Sequence, residues 1–295
     1  MVKKTKGQWI LLGVLILLAL ACVLPLVLVV IISFSSDASI AEKGYSFFPT
    51  EWSLAAWEYV FGYGKQLVVS YGVTIFITVV ATVLDMIVET MFAYTLSRSN
   101  FRLKKYYAMM VLITMLFSGG QLASYMVNVT WYHLKDSLWV LILSGVSAIH
   151  VIILRTYIQG TVSEALIESA KIDGAGEFYT FVKIVVPCMT PALASVAFMK
   201  AIANWDAWEN AYLYITSPEK TPLSLLLMEI ENDIQFLAEN ADNLSPSEYD
   251  QLVANLPTDS GRMAILLAAL GPILIAYPFF QKYFVKGITI GSVKG

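Results

Sequence analysis

Apolar residues gather along this chain in long blocks separated by short polar stretches. The first block runs from Trp9 to Phe34, about 25 residues and enough to cross a bilayer with some tilt. Pro25 lies inside it, which a membrane bundle tolerates. Further blocks follow at about 67–96, 106–126, 137–157, 184–206 and 263–283. The pattern predicts an all-α, polytopic membrane protein with six transmembrane helices, built as one domain over residues 1–295. Ser35–Gln66, with Pro49, Trp52, Trp57 and Tyr59, reads as an external loop with a short interfacial helix. Ser118-Gly119-Gly120 falls in the outer part of the third block.

The polar stretch at 159–184 differs from an ordinary connector. Its sequence from Glu164 to Pro187 is EALIESAKIDGAGEFYTFVKIVVP, rich in helix formers. Ser163 is a suitable N-cap. Leu166, Ala170 and Asp173 fall on one helical face, and Ala165, Ser169 and Ile172 on the neighbouring one. Gly174 accepts the left-handed position that ends such a helix. A second short helix is expected from about Gly176 to Lys183, with Pro187 marking entry into the next span.

Composition supports the membrane reading. The chain has 295 residues, 58% hydrophobic and 14% charged, against about 25% charged in soluble domains. The net charge of −3 gives no support to nucleic-acid binding. Cys22 and Cys188 lie in or beside apolar blocks, without metal-ligand company, so neither a disulfide nor a metal site is expected. Ala19-Leu20-Ala21-Cys22 is a loose match to a lipoprotein cleavage box. The apolar run continues through Ile32, so an uncleaved span is the reading.

Lysine and arginine placement sets the expected orientation. Lys3, Lys4, Lys6, Arg98, Arg102, Lys104, Lys105, Arg155, Lys171, Lys183, Lys282, Lys286 and Lys294 share one side. Lys43, Lys65, Lys135, Lys220 and Arg262 lie on the other. Both termini and the 159–184 loop are therefore expected in the cytoplasm. The excursion at 207–261 is strongly acidic and lies outside. Helical spacing is expected over Leu225–Leu237 and again from Ser245-Pro246 toward Val253. It reads either as a solvated cap or as a docking surface for a soluble partner.

The polar loop resembles the coupling loop of ABC-importer permeases. That pattern places Glu-Ala-Ala, then Gly after three residues, then Ile-x-Leu-Pro after nine. Glu168, Ser169, Ala170, Gly174, Ile184, Val186 and Pro187 stand at those offsets, with Ser169 for Ala and Val186 for Leu. The wider resemblance is to permeases of carbohydrate importers, in the oligosaccharide and aldouronate branch. It rests on Ala93–Arg98, Met115–Gly120, Val151–Tyr157, Ser169–Ala175, Asn204–Asp206 and Tyr277–Gly295. Asp206 stands where Asn is common, so no carbohydrate contact transfers to that position.

The resemblance implies a type I ABC importer permease in a bacterial cytoplasmic membrane. It implies a second homologous permease, two ATPase subunits and an extracellular solute-binding (lipo)protein as partners. Glu168, Ser169, Ala170, Asp173, Gly174, Ile184 and Pro187 would then couple to an ATPase. The chain has no GxxxxGK[ST] phosphate loop, so ATP and Mg are assigned to the partner subunits and no cofactor or catalytic residue to this one.

Asn204, Trp205, Asp206 and Trp208 are candidates for the substrate pathway. The two tryptophans fit either stacking on a sugar or anchoring at the interface. Asp85 and Glu89 lie four residues apart, on one face of the second span, where carboxylates need a cavity or a partner. They fit a structural ion pair, with Lys200 as partner, or a sugar-lining role. They are also the basis of the alternative function, a proton-coupled secondary transporter. That class needs more such groups and an inverted repeat with interrupted helices. His150 is expected to make a helix-packing hydrogen bond. An intramembrane enzyme is a third class, and no Ser/His/Asp or His/Glu set supports it.

Overall fold

The computed structural model describes residues 6–62, 64–143, 145–239 and 259–291. Among these the secondary structure is helical, with one isolated antiparallel bridge between Ser35 and Trp52. Three helices are long and apolar enough to cross a membrane: α1 (Lys6–Ser33), α4 (Gly64–Ser97) and the last helix, α15 (Asp259–Gly291). Pro25 is carried inside α1.

The remaining spans are broken. The third is α5 (Lys104–Leu116) followed by α6 (Gly120–Met126) and a π-helical turn to Trp131, bent by 113°. Phe117 is extended and Gly120 has φ +78°, a conformation open to glycine that stops α5 from continuing. The fifth expected span, 184–206, is entered by a helical run that starts at Glu177 and ends at Cys188, and it resumes in α12 (Thr190–Trp205) after an 80° bend at Met189. Counting each bent pair as one crossing gives five. The segment expected as a fourth span is split into α7 (Trp139–Ile142) and α8 (Ala148–Thr161), neither of spanning length. Six unbroken spans are therefore not what the described residues form.

The residues group into two compact units. The first comprises Met1–Leu67 and Leu226–Pro272. Here α2 (Asp37–Lys43) starts at Ser36, whose hydroxyl accepts from Ser39 N. Asp37 accepts from Ser260 N and Oγ at 3.2 and 2.9 Å. Phe34 stacks on Trp57 of α3 (Ala55–Gly62) at 5.5 Å. Two helices thus occupy the 35–66 loop, where one was expected.

The second unit comprises Val68–Leu225 and Ile273–Gly295. Helix α8 packs against α5 and α12. Leu96, Val111, Val151, Leu154, Ile158, Met189 and Val196 form its buried core.

The described part of the 207–261 excursion, up to residue 239, is less solvated than its charge suggested. It contains α13 (Trp208–Tyr214), a 3₁₀ turn at Pro218–Lys220 and α14 (Leu223–Glu239). Leu223, Leu225, Leu226, Leu227 and Ile230 are all buried. The polar count concealed a leucine face that serves as core. The helix expected after Ser245-Pro246 lies outside the described residues.

Candidate functional site: the 163–188 element and the polar seam behind it

Helix α9 (Glu164–Ile172) begins where Ser163 leaves the helical region, with its hydroxyl accepting from Leu166 N at 3.3 Å. It ends in paired bonds from Gly174 N to Lys171 O, 3.0 Å, and from Ala175 N to Ala170 O, 2.9 Å. That pairing is the Schellman termination, which requires a left-handed residue at Gly174, and φ there is +84°. The chain re-enters helix at Glu177 as α10 (Glu177–Thr180) and a π-helical turn, Phe181–Val185. Helix α11 (Val186–Cys188) follows. Pro187, expected to mark entry into the next span, sits inside this helical run, and the chain bends at Met189.

Two faces of α9 have different surroundings. Ile167, 3% exposed, belongs to the same core as Val185 and Leu154. Burying one such side chain is worth about 1.5–3 kcal/mol. Ala170 is also buried, and its small side chain lets α9 lie close to the core. Glu168, Ser169, Asp173 and Pro187 are exposed, and Ile184 is half-buried. Ile172 and Phe178 are 86% and 72% exposed, and Leu166 and Tyr179 are also open. Apolar side chains left this bare form a ridge over the glycine elbow.

Glu177 ties the element to α4. Its carboxylate accepts from Tyr94 Oη at 2.7 Å and pairs with Lys171 Nζ, while Arg98 Nη2 lies 3.6 Å away. The hydrogen bonds from Lys171 and Tyr94 hold its pKa below the usual carboxylate range. Tyr94 packs on Phe181 at 5.1 Å, and the Arg98 guanidinium lies over the Tyr94 ring at 5.7 Å. The pattern-based reading passed over this quartet. Tyr94 and Arg98 belong to the AYTLSR segment, and no spacing rule links residues so far apart in sequence.

A second constellation lies between α4 and α12. Lys200 Nζ is 2.9 Å from Asp85 Oδ2, 3.6 Å from Glu89 Oε1, and donates to Gly145 O at 2.7 Å. Glu89 is fully buried. It accepts from Ser147 N at 2.7 Å and has His150 Nδ1 3.3 Å away. Near Lys200 on α12, Asn204 Nδ2 donates to Thr82 Oγ1 at 3.3 Å. These groups close the gap between α7 and α8, where Gly145 has φ +126° and backbone polar groups are released. Asp85 and Glu89 therefore have partners on other elements, which removes the motive for reading them as a proton path.

The remaining pathway candidates divide. Trp205 is buried and Asn204 half-buried, whereas Asp206 and Trp208 are exposed.

Residues 91–290 match the family described as binding-protein-dependent transport system inner membrane component. The chain belongs to this family. It is similar to the polygalacturonan/rhamnogalacturonan transport system permease protein YtcP of Bacillus subtilis (strain 168), 36% identical over 96% of both chains. An arabinooligosaccharides transport system permease protein, AraQ of Halalkalibacterium halodurans, is 28% identical over 94% of this chain and 93% of its own. The fold is similar to a solved bacterial ABC transporter involved in import of the acidic polysaccharide alginate. That match has TM-score 0.79 and 25% identity, and covers 96% of this chain and all of that one. This inner membrane component is thus a multi-pass transport protein of the cell membrane, not an enzyme. It works with an ATPase and a solute-binding protein.

Proposed function

We propose that the chain is one of two permease subunits of an ATP-driven oligosaccharide importer, forming half of its translocation pathway as a single functional domain. The observation that carries this reading is the 163–188 element. It presents Leu166, Ile172 and Phe178 outward and is fixed to the bundle by Ile167 and Glu177. The ridge fits a groove on one of two cytoplasmic ATPase subunits. Those subunits bind ATP and Mg. Their closure would push a rigid lever, and the Glu177 quartet would pass the displacement to α4, rocking the spans between inward-open and outward-open.

Both termini and the 163–188 element lie in the cytoplasm on this reading, following the basic residues around them. The acidic 207–261 segment then faces an extracellular binding protein. The cargo class follows the relatives, which are named for transport of polygalacturonan/rhamnogalacturonan and of arabinooligosaccharides.

The test is purification of the assembly with its ATPase subunits and identification of the glycan on its binding protein. An Ile172→Asp/Phe178→Asp variant should insert normally and lose the ATPase subunits. Retention of those subunits with full glycan-stimulated hydrolysis would overturn the docking role.

A further inference from the structure

The second unit holds a cavity of about 450 Å³ between α6, α7 and α13. That volume falls within the range of small-ligand sites, about 300–1,000 Å³. Ser124, Asn128, Asn210 and Tyr214 line it together with Val127 and Leu143, and no ionisable side chain other than the Tyr214 phenol does so. We propose that it is a subsite for one uncharged, hydroxyl-bearing sugar ring of the transported oligosaccharide, an inference that rests on the carbohydrate reading above.

The polar groups suit sugar hydroxyls, which both donate and accept. Asn128 Nδ2 donates to Tyr214 Oη at 3.1 Å, which leaves the phenolic hydrogen and the Asn128 carbonyl for a ligand. Ser124 Oγ donates to Gly120 O at 3.1 Å and keeps lone pairs to accept. Asn210 adds a second amide. The aliphatic lining matches the C–H face of a ring.

The wall is held in place. Tyr214 is buried and stacks on Tyr125 at 5.4 Å. Its carbonyl accepts from Asp136 N at 2.8 Å. The Asp136 carboxylate in turn accepts from Thr216 N and Ser217 N, both 2.9 Å, and from Lys220 Nζ, 2.8 Å. A preformed wall loses little freedom on binding. Lys220 is committed to Asp136 and does not line the cavity. A uronate carboxylate entering here would shed water with no cation to meet it, which is costly. The cavity therefore selects an uncharged ring.

The experiment uses the reconstituted assembly with Cys22 and Cys188 replaced by Ser and Asn210→Cys introduced. The rate of modification by a small methanethiosulfonate is read with arabinotriose and with trigalacturonate as probes. Arabinotriose should slow modification about tenfold, as near-saturating occupancy requires. Tyr212→Cys, on the same helix but off the lining, should be unaffected and reports any general closure. Asn210→Leu should raise KM for arabinotriose uptake about tenfold, consistent with loss of one hydrogen-bonding group. Protection by trigalacturonate alone overturns the uncharged class. No protection in an assembly whose ATPase responds to glycan overturns the site. Failure of Asn210→Cys to react at all in the assembly means that the partner permease fills the cavity, and also overturns it. An assembly whose ATPase responds to no glycan overturns the functional reading and the subsite together.

Discussion

The ammonium of Lys200 on α12 lies 2.9 Å from the carboxylate of Asp85 on α4, and the same ammonium donates to the carbonyl of Gly145 at 2.7 Å. One side chain therefore joins two helices and satisfies the backbone where the α7–α8 segment breaks. Glu89 mirrors it by accepting from Ser147 N two residues later. The pair of donors and acceptors acts as a replacement for the helical bonds that the break gives up.

Removing one partner leaves the others buried and uncompensated. Lys200→Met should destabilise the protein by about 3–5 kcal/mol, the usual cost of breaking a buried pair from one side. The Lys200→Met/Asp85→Asn variant should recover part of that loss. Thermal unfolding in detergent is the measurement. ATP-driven uptake by the double variant should stay independent of the proton gradient. Dependence of uptake on that gradient in the wild type, lost in Asp85→Asn, would restore the proton-coupled alternative.

Gly174 has φ +84°, and a Cβ built there meets nothing within 4 Å. Substitution is thus a matter of backbone strain alone. Gly174→Val should cost at least about 1–2 kcal/mol locally, the left-handed penalty of an L residue. Gly174→Asn should cost less, because Asn tolerates that region. Glycan-stimulated ATP hydrolysis should fall in the order wild type, Asn, Val, with membrane insertion unchanged. Equal stimulation in all three would show that the elbow is not needed for coupling.

Glu177 is depressed by Lys171 and Tyr94, so its contribution has a defined pH window. A carboxylate whose folded-state value is lowered stabilises the fold above its ordinary value of 4.5, and that contribution disappears as pH falls toward and through the lowered one. The side chain is 54% exposed, so solvent screens the pair and the stabilisation amounts to no more than about 1 kcal/mol. Hydrogen exchange at 164–180 in wild type should quicken between pH 6 and pH 4, after correction for intrinsic rates. Glu177→Gln should show the faster, acid-like pattern already at pH 6. Identical protection in both proteins at pH 6 would remove Glu177 as the tie to α4.

Much of this was readable from the chain because local rules govern it. Ser163, Gly174 and the helix between them follow from capping chemistry, and the Lys200–Asp85 pair follows from the expense of charge in an apolar span. The breaks were not readable in the same way. A hydropathy block is equally apolar whether its helix is straight or bent, so the 113° turn at Phe117–Gly119 and the interruption at 143–147 left only glycines as signals. The excursion misled for a different reason. Glu229, Glu231 and Asp233 of α14 dominate the composition, while the buried Leu223, Leu225, Leu226, Leu227 and Ile230 decide where it packs. The cavity at Asn128, Asn210 and Tyr214 unites positions too far apart in sequence for any periodicity to join.

Membrane sidedness is the remaining expectation open to direct measurement. Basic residues cluster at Arg98–Lys105, from the end of α4 into the first turn of α5, and that cluster argues for a cytoplasmic turn. Phe48 lies in the loop between α2 and α3 and is 83% exposed, while Ser99 follows α4 directly. Helix α4 is long and apolar enough to cross the bilayer, and a crossing there puts the two positions on opposite sides. In a background lacking Cys22 and Cys188, Phe48→Cys should react with an impermeant maleimide in intact cells. Ser99→Cys should react only after permeabilisation. Reaction of Ser99→Cys in intact cells, with Phe48→Cys protected, would invert the topology. The 163–188 element would then lose its access to a cytoplasmic ATPase.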